Sequence, residues 1–279
     1  MNFLLTNRVP RFALTCFMGW FSQIRQPWVR DLSIAVWRAF ADLDLSDAKK
    51  RRFDSLHDCF VRELVAGARP VDPDPAVLTS PCDAIVGACG PVDGLTVFQA
   101  KGFAYSLDDL FGARATETAE TFRDGCYATL RLTSSMYHRF HAPHDLLVDH
   151  VTFHSGDTWN VNPIALKRIE RLFCRNERAA ILARAAARQH RIALVPVAAI
   201  LVASLRLNWI TPLLHPRYAG PTDWPVVARF AKGDEMGWFQ HGSTILVFAP
   251  RGFALAEGIA EGRRIRVGEP LMRLPASGP

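Results

Sequence analysis

A hydroxyl one residue beyond a glycine carbonyl is placed to attack its own backbone. Residues 232–248, KGDEMGWFQHGSTILVF, hold such a pair, Gly242-Ser243, between a charged, turn-prone lead-in and an apolar run of β type. Attack of Ser243 Oγ on the Gly242 carbonyl is an acyl shift from nitrogen to oxygen. Glycine leaves room for that approach and permits unusual backbone angles. The reading without chemistry is a tight turn between two strands, with Ser243 and Thr244 as ordinary turn residues. Gly-Ser-Thr by itself favours the turn.

Residues 136–145, MYHRFHAPHD, place His138, His141 and His144 at steps of three. That spacing first suggests a metal site, but Pro143 rules out one continuous helix through all three. No carboxylate or thiol set completes a ligand shell, so no metal is expected. Asp83, in SPCDAIV, is an acid in a turn, a setting that is most often structural. Arg175 and Arg178, in LFCRNER, either face a phosphate or pair with Glu177. The six cysteines (16, 59, 82, 89, 126 and 174) form no Cys-x-x-Cys pair and read as reduced, mostly buried thiols of a cytoplasmic protein, without disulfides or zinc.

Taken in order, these segments resemble the phosphatidylserine decarboxylase family. The likeness runs from about residue 53 to 274. It includes FVRELVAGARP at 60–70, SPCDA at 80–84, KGFAYSLDDLFG at 101–112, YHRFHAP at 137–143, GDTWNVN at 156–162, LFCRNER at 172–178 and the stretch around Gly242-Ser243. The resemblance implies a proenzyme that cuts itself between Gly242 and Ser243. Asp83 orients His141, His141 takes the Ser243 proton, and Ser243 attacks to give an ester; β-elimination then leaves a dehydroalanine, which tautomerises and is hydrolysed, with loss of ammonia, to a pyruvoyl group derived from Ser243. The products are a long β chain, 1–242, and a short α chain, 243–279, held as a heterodimer, with a higher oligomer left open. The pyruvoyl ketone forms a Schiff base with the amine of phosphatidylserine, CO2 departs, His138 returns a proton, and phosphatidylethanolamine is released. His144 lies outside the matched core and reads as a satisfied surface or supporting group.

The chain departs from the family pattern at Ala84, Ala198 and Ala203, where glycine is usual, and at His241, where an apolar residue or glycine is more common. Two other readings stay open. One is a related pyruvoyl decarboxylase of a soluble amino acid or of another serine-headed lipid. The other is a self-cleaving, non-catalytic protein that binds anionic lipid.

The elements that must position these residues follow from composition and pattern. With 279 residues, 49% hydrophobic and 22% charged, the chain is globular and fits one sizeable domain with an appendage or two small domains. A net charge of +6 favours anionic partners. No basic run, zinc-finger spacing or aromatic RNA-binding signature points to nucleic acid. Residues 12–40 contain no run of 18 apolar residues and no secretory signal. The first 40 residues carry five arginines and one acid, with Trp20, Trp28 and Trp37 among them. Amphipathic helices lying among lipid headgroups and helices packed on the protein's own core both fit this pattern. The resemblance tips the balance to the membrane, peripherally on the cytoplasmic face of the cell membrane.

Ser46 is the expected cap of a helix that continues through 53–64 and ends near Gly67 and Pro70. Residues 1–69 then form a helical, membrane-contacting region and 70–279 a β-rich catalytic domain, an α+β chain with a sandwich or barrel-like sheet. Within it, Ser106 caps one short helix that Gly112 stops. Residues 179–190, AAILARAAARQH, read as helix by their alanines and arginines, although the resemblance implies a strand at this place, and 192–207 read as two buried strands around Pro196. Apolar runs at 245–249 and 264–274 keep the cut fragment paired in the sheet.

Overall fold

The strand that begins at Ser243 has every side chain buried, so both of its faces must be covered, and the rest of the chain supplies the two covers. The computed structural model describes residues 11–100, 103–112, 116–185, 189–201, 204–215, 217–240 and 243–275. The amino-terminal part is helical: α1 (Arg11–Phe21), α2 (Pro27–Phe40) and the single turn α3 (Leu56–Phe60). The strands follow as β1 (Val77–Thr79), β2 (Ala84–Pro91), β3 (Thr96–Ala100), β4 (Phe103–Ser106), β5 (Cys126–Arg131), β6 (Arg139–His141), β7 (Leu146–His154) and β8 (Arg178–Ala185). After them come β9 (Arg191–Ala198), β10 (Leu205–Leu207), β11 (Asp223–Phe230), β12 (Glu235–Phe239), β13 (Ser243–Ala249), β14 (Ala254–Leu255), β15 (Arg264–Ile265) and β16 (Pro270–Arg273). This is the expected α+β arrangement, helices first and a sheet domain after.

Eight strands form the central antiparallel sheet in the order β11-β7-β8-β9-β13-β5-β2-β15, which sets β13 between β9 and β5. Side chains alternate across a strand. Ile245 and Val247 therefore face one core, with Ile181, Leu194 and Leu130, while Leu246 and Phe248 face the other, with Val195, Phe111 and Phe173. The first core is closed by two three-stranded sheets, β1-β16-β14 and β10-β12-β6, and the second by the β3-β4 hairpin and short helices. The strands carboxy-terminal to Ser243 pair with β2, β5, β9 and β1, so 243–275 is woven into the sheets rather than appended to them.

Several local expectations are corrected. Residues 178–185 are a strand, not a helix, hydrogen-bonded on both sides to β7 and β9. Alanine's helix preference is small per residue and yields to burial between two covered faces, where small side chains fit. The helix expected from Ser46 through 53–64 shrinks to α3. Its cap is Ser55, whose Oγ accepts from Asp58 N, while Ser46 N instead donates to Asp44 Oδ1. Pro196 does not separate two strands: β9 runs through it, opposite Ile245, and the break comes after Ala198. Ser106 does cap a helix, Leu107–Phe111, and Gly112 ends it at φ 92°, a conformation that glycine adopts without strain. All six cysteines are free thiols.

Helices α1 and α2 pack on the protein's own core along one side and expose aromatic side chains along the other. Ile34 and Trp37 pack on a small core of Leu43, Phe53 and Cys59, and Arg30 folds back onto Asp31. Trp20, Trp28, Leu32 and Phe40 meanwhile stand exposed, Phe40 at 89%. No helix among the described residues is long and apolar enough to cross a membrane.

Candidate functional site

Ser243 opens β13. Its carbonyl accepts from Leu132 N at 2.9 Å, and it pairs with Ala198 on the other side. By strand alternation its side chain shares the face of Ile245 and Val247, the face covered by the β10-β12-β6 sheet. It is wholly buried, and Oγ has no hydrogen-bond partner among the described residues. A buried hydroxyl without a partner costs free energy, and sites that tolerate such a cost are often reactive ones. His241, Gly242 and Ala203 lie outside the described residues.

His141 ends β6, where three segments that are distant in sequence meet. Its backbone N–H donates to Pro81 O at 2.8 Å, its Nδ1 lies 2.8 Å from Gly233 O, and its Nε2 lies 3.0 Å from Tyr137 Oη. A nitrogen facing a carbonyl must carry the proton, so Nδ1 is the donor and Nε2 the lone-pair side that accepts from Tyr137. The carbonyl belongs to the turn at 231–234, within the lead-in to Ser243. Burial lowers the His141 pKa below the usual histidine value, against opposing pulls from the Gly233 carbonyl, Glu235 and Asp83. The ring is thus neutral at neutral pH, the state a general base needs.

His138 is fully buried against Phe60 of α3, with ring centroids 4.0 Å apart, and its Nδ1 lies 2.8 Å from Met136 O. The same reasoning puts the proton on Nδ1 and the basic lone pair on Nε2. His144 Nε2 meets Pro75 O at 2.9 Å, so the three histidines take separate backbone carbonyls and do not converge. His144 is buried and held within the framework, rather than lying on the surface.

Asp83 is gripped by Arg69, whose Nε lies 2.9 and 3.0 Å and whose Nη2 lies 2.7 Å from the carboxylate, and it accepts from Val267 N at 3.0 Å. The structure therefore brings the Asp83 loop to His141 through Pro81 and Tyr137, while the carboxylate itself hydrogen-bonds to Arg69 and not to the imidazole. Ala84 begins β2 as extended backbone, so no glycine conformation is required there. The pairing considered for Glu177 is not formed. Arg178 spends its guanidinium on the carbonyls of Leu110, Asp109 and Asn176, Arg175 points outward, and both Glu177 oxygens lack partners.

Three residues at the site carried no assigned role in the sequence. Arg69 ends the FVRELVAGARP segment and holds Asp83. Tyr137 lies within YHRFHAP and holds His141. Arg139 ties β6 to β12 through Glu235 at 2.9 Å. Each sits inside a recognisable motif, but the spacing alone does not say which neighbour it meets. Beside Ser243 opens a cavity of about 740 Å³, walled by Phe21, Trp37 and Phe60 of the helical part and by Leu132 and Ala199, which directly follow the two strands flanking Ser243. Its walls are mostly apolar.

Comparison with known proteins decides the family. The family model described as phosphatidylserine decarboxylase matches residues 56–273. The chain belongs to the phosphatidylserine decarboxylase family. It is 33% identical to the phosphatidylserine decarboxylase proenzyme of Haemophilus influenzae, over 94% of this chain and 92% of that one. It is also 33% identical to that of Aliivibrio salmonicida, over 95% of each, and 34% identical to that of Vibrio cholerae, over 94% of each. The phosphatidylserine decarboxylase model takes in Asp83, His138, His141 and Ser243 and starts at α3, whereas the similarity to whole relatives extends into α1 and α2.

Proposed function

We propose that this protein decarboxylates phosphatidylserine to phosphatidylethanolamine and CO2, after cutting itself between Gly242 and Ser243. The observation that carries the reading is Ser243: buried, without a partner for Oγ among the described residues, at the head of the central strand, within a chain of which 94% aligns with a decarboxylase proenzyme. In the self-cleavage, His141 Nε2 receives the Ser243 proton once Tyr137 Oη gives up its hydrogen bond there, with Gly233 fixing the ring through Nδ1, and Asp83 with Arg69 sets the charge around it. Oγ bonds to the Gly242 carbonyl carbon as the C–N bond breaks. The ester is then eliminated, releasing the Gly242 carboxylate.

The residues present fit a pyruvoyl group derived from Ser243, because its position is enclosed by two paired strands and shielded from water. When formed, that group supplies a ketone carbon for the substrate amine and an adjacent carbonyl that takes up the electrons left by CO2. His138, buried beside Phe60, holds and returns the proton to the substrate carbon. The cavity next to Ser243 suits a lipid better than a free amino acid, because its walls are apolar. The exposed aromatic face of α1 and α2 and the net positive charge support peripheral binding to an anionic membrane, on its cytoplasmic face. The two cut chains remain together as a heterodimer through the ladders of β13.

Vesicles containing phosphatidylserine labelled at the serine carboxylate are the test. The purified protein is expected to release labelled CO2 and leave phosphatidylethanolamine, and to leave free serine untouched. Release from free serine, or lipid binding without CO2, overturns the reading.

A further inference from the structure

The cavity beside Ser243 contains a cation that nothing in the described protein neutralises. Arg131 is the last residue of β5, half-buried, and contributes to the cavity wall with Leu132, Thr133 and Ser134. The other arginines around the site have acceptors: Arg69 has Asp83 and Asp47, Arg139 has Glu235, and Arg62 has the carbonyls of Cys59 and Ser135. Arg131 has no hydrogen bond or ion pair with any described residue. Burial alone acts on its guanidinium, drawing its pKa down with no carboxylate to offset the loss of water. Holding a cation against apolar walls without an anion is unfavourable.

A second polar group stands next to it. Thr244 lies directly across the ladder from Arg131, on the same face of the sheet; it is fully buried and its Oγ1 has no partner. Cross-strand neighbours have Cβ atoms about 5 Å apart, so a guanidinium and a hydroxyl both lacking acceptors adjoin at the head of β13. Thr244 does not reach the cavity wall, so it is the guanidinium that presents donors there, in a planar fork complementary to an oxyanion.

We propose that Arg131 binds the phosphodiester of the lipid substrate and so selects a phosphorylated headgroup over a free amino acid. The proposal rests on the decarboxylase reading above. In phosphatidylserine the phosphorus is joined to the reacting carbon through one methylene and one oxygen, so the phosphate must sit within a few bond lengths of the Ser243 position. Arg131 lies within that span along the backbone: it follows Thr129 and Leu130 on the strand paired to β13, and its neighbour Leu132 donates to the Ser243 carbonyl; its side chain takes the face opposite the Ser243 side chain, so the headgroup reaches it around the head of the strand. Beyond the phosphate, the apolar walls contributed by α1, α2 and α3 receive the acyl chains.

The test uses the full-length Ser243→Ala protein, titrated with dihexanoyl-phosphatidylethanolamine, dihexanoylglycerol and inorganic phosphate and read by calorimetry and by the fluorescence of Trp37 in the cavity wall. The phospholipid is expected to bind at least tenfold more tightly than the diacylglycerol. Arg131→Gln abolishes that margin and Arg131→Lys retains part of it, with melting curves showing both variants folded. In the cleaved enzyme Arg131→Gln raises KM for phosphatidylserine more than it lowers kcat. A margin unchanged in Arg131→Gln overturns the proposal, as does inorganic phosphate binding as tightly as the phospholipid. If wild-type protein releases CO2 from phosphatidylserine while Arg131→Gln keeps its KM, the decarboxylase reading stands and the phosphate assignment alone falls. If none of the three ligands binds, the lipid reading of the cavity falls and the assignment with it.

Discussion

Glu177 is 1% exposed, and neither carboxyl oxygen has a hydrogen-bond partner, so desolvation pushes its pKa from 4.5 up to about 8. The carboxyl is therefore protonated in the folded protein at neutral pH but ionised in the unfolded chain. A folded-state pKa raised in this way gives stability that is fully present below pH 4.5 and lost as pH rises through 8. Glu177→Gln cannot titrate, and whatever its amide costs is the same at every pH. Urea melts between pH 5 and pH 8 are thus expected to show wild type losing on the order of 3 to 5 kcal/mol relative to the variant. Parallel pH curves for the two proteins would remove the neutral-carboxyl account. Nothing in the sequence marked this group, because RNER offers two arginines as partners; Arg178 turns to backbone carbonyls instead, and only the fold shows that.

Positioning of His141 depends on how closely three short strands approach. Gly237 in β12 lies between β10 and β6, and a Cβ built on it would meet Arg206 O at 2.1 Å and Phe140 Cε1 at 3.1 Å. Backbone cannot give way as a flexible side chain can. Gly237→Ala is therefore expected to pry β12 from β10, to cost on the order of 2 kcal/mol or more, and to slow self-cleavage by displacing β6. An unchanged melting temperature with normal cleavage would contradict this view of the small sheet. Much at this scale was legible beforehand. Ser106 and Gly112 marked a helix correctly because capping is local chemistry, and the turn before Ser243 was visible in its charges and glycines. The strand 178–185 and the short α3 were not, because their fates depend on the β7 and β9 partners and on packing from sequence-distant residues. The identities of His138, His141, Asp83 and Ser243 came from motif order. The Arg69 clamp and the Tyr137 contact came only from the folded geometry.

For the whole molecule, the proposed function gives the amino-terminal helices the task of joining a lipid surface to the cavity beside Ser243. Their inner side walls the cavity, and their outer side carries Trp20, Trp28 and Phe40. Replacing Trp20 and Trp28 with alanine in the full chain is expected to weaken binding to phosphatidylserine vesicles by roughly tenfold, or about 1.4 kcal/mol, while leaving self-cleavage intact. Flotation that is unaffected would assign those aromatics some other role. Everything proposed for the chemistry nonetheless depends on one covalent event. Intact mass of the purified protein beside its Ser243→Ala variant measures it directly. The account predicts two wild-type chains split between 242 and 243, the shorter with a blocked amino terminus of pyruvoyl mass, and a variant that stays whole. A single uncut wild-type chain, folded and with lipid present, would contradict it.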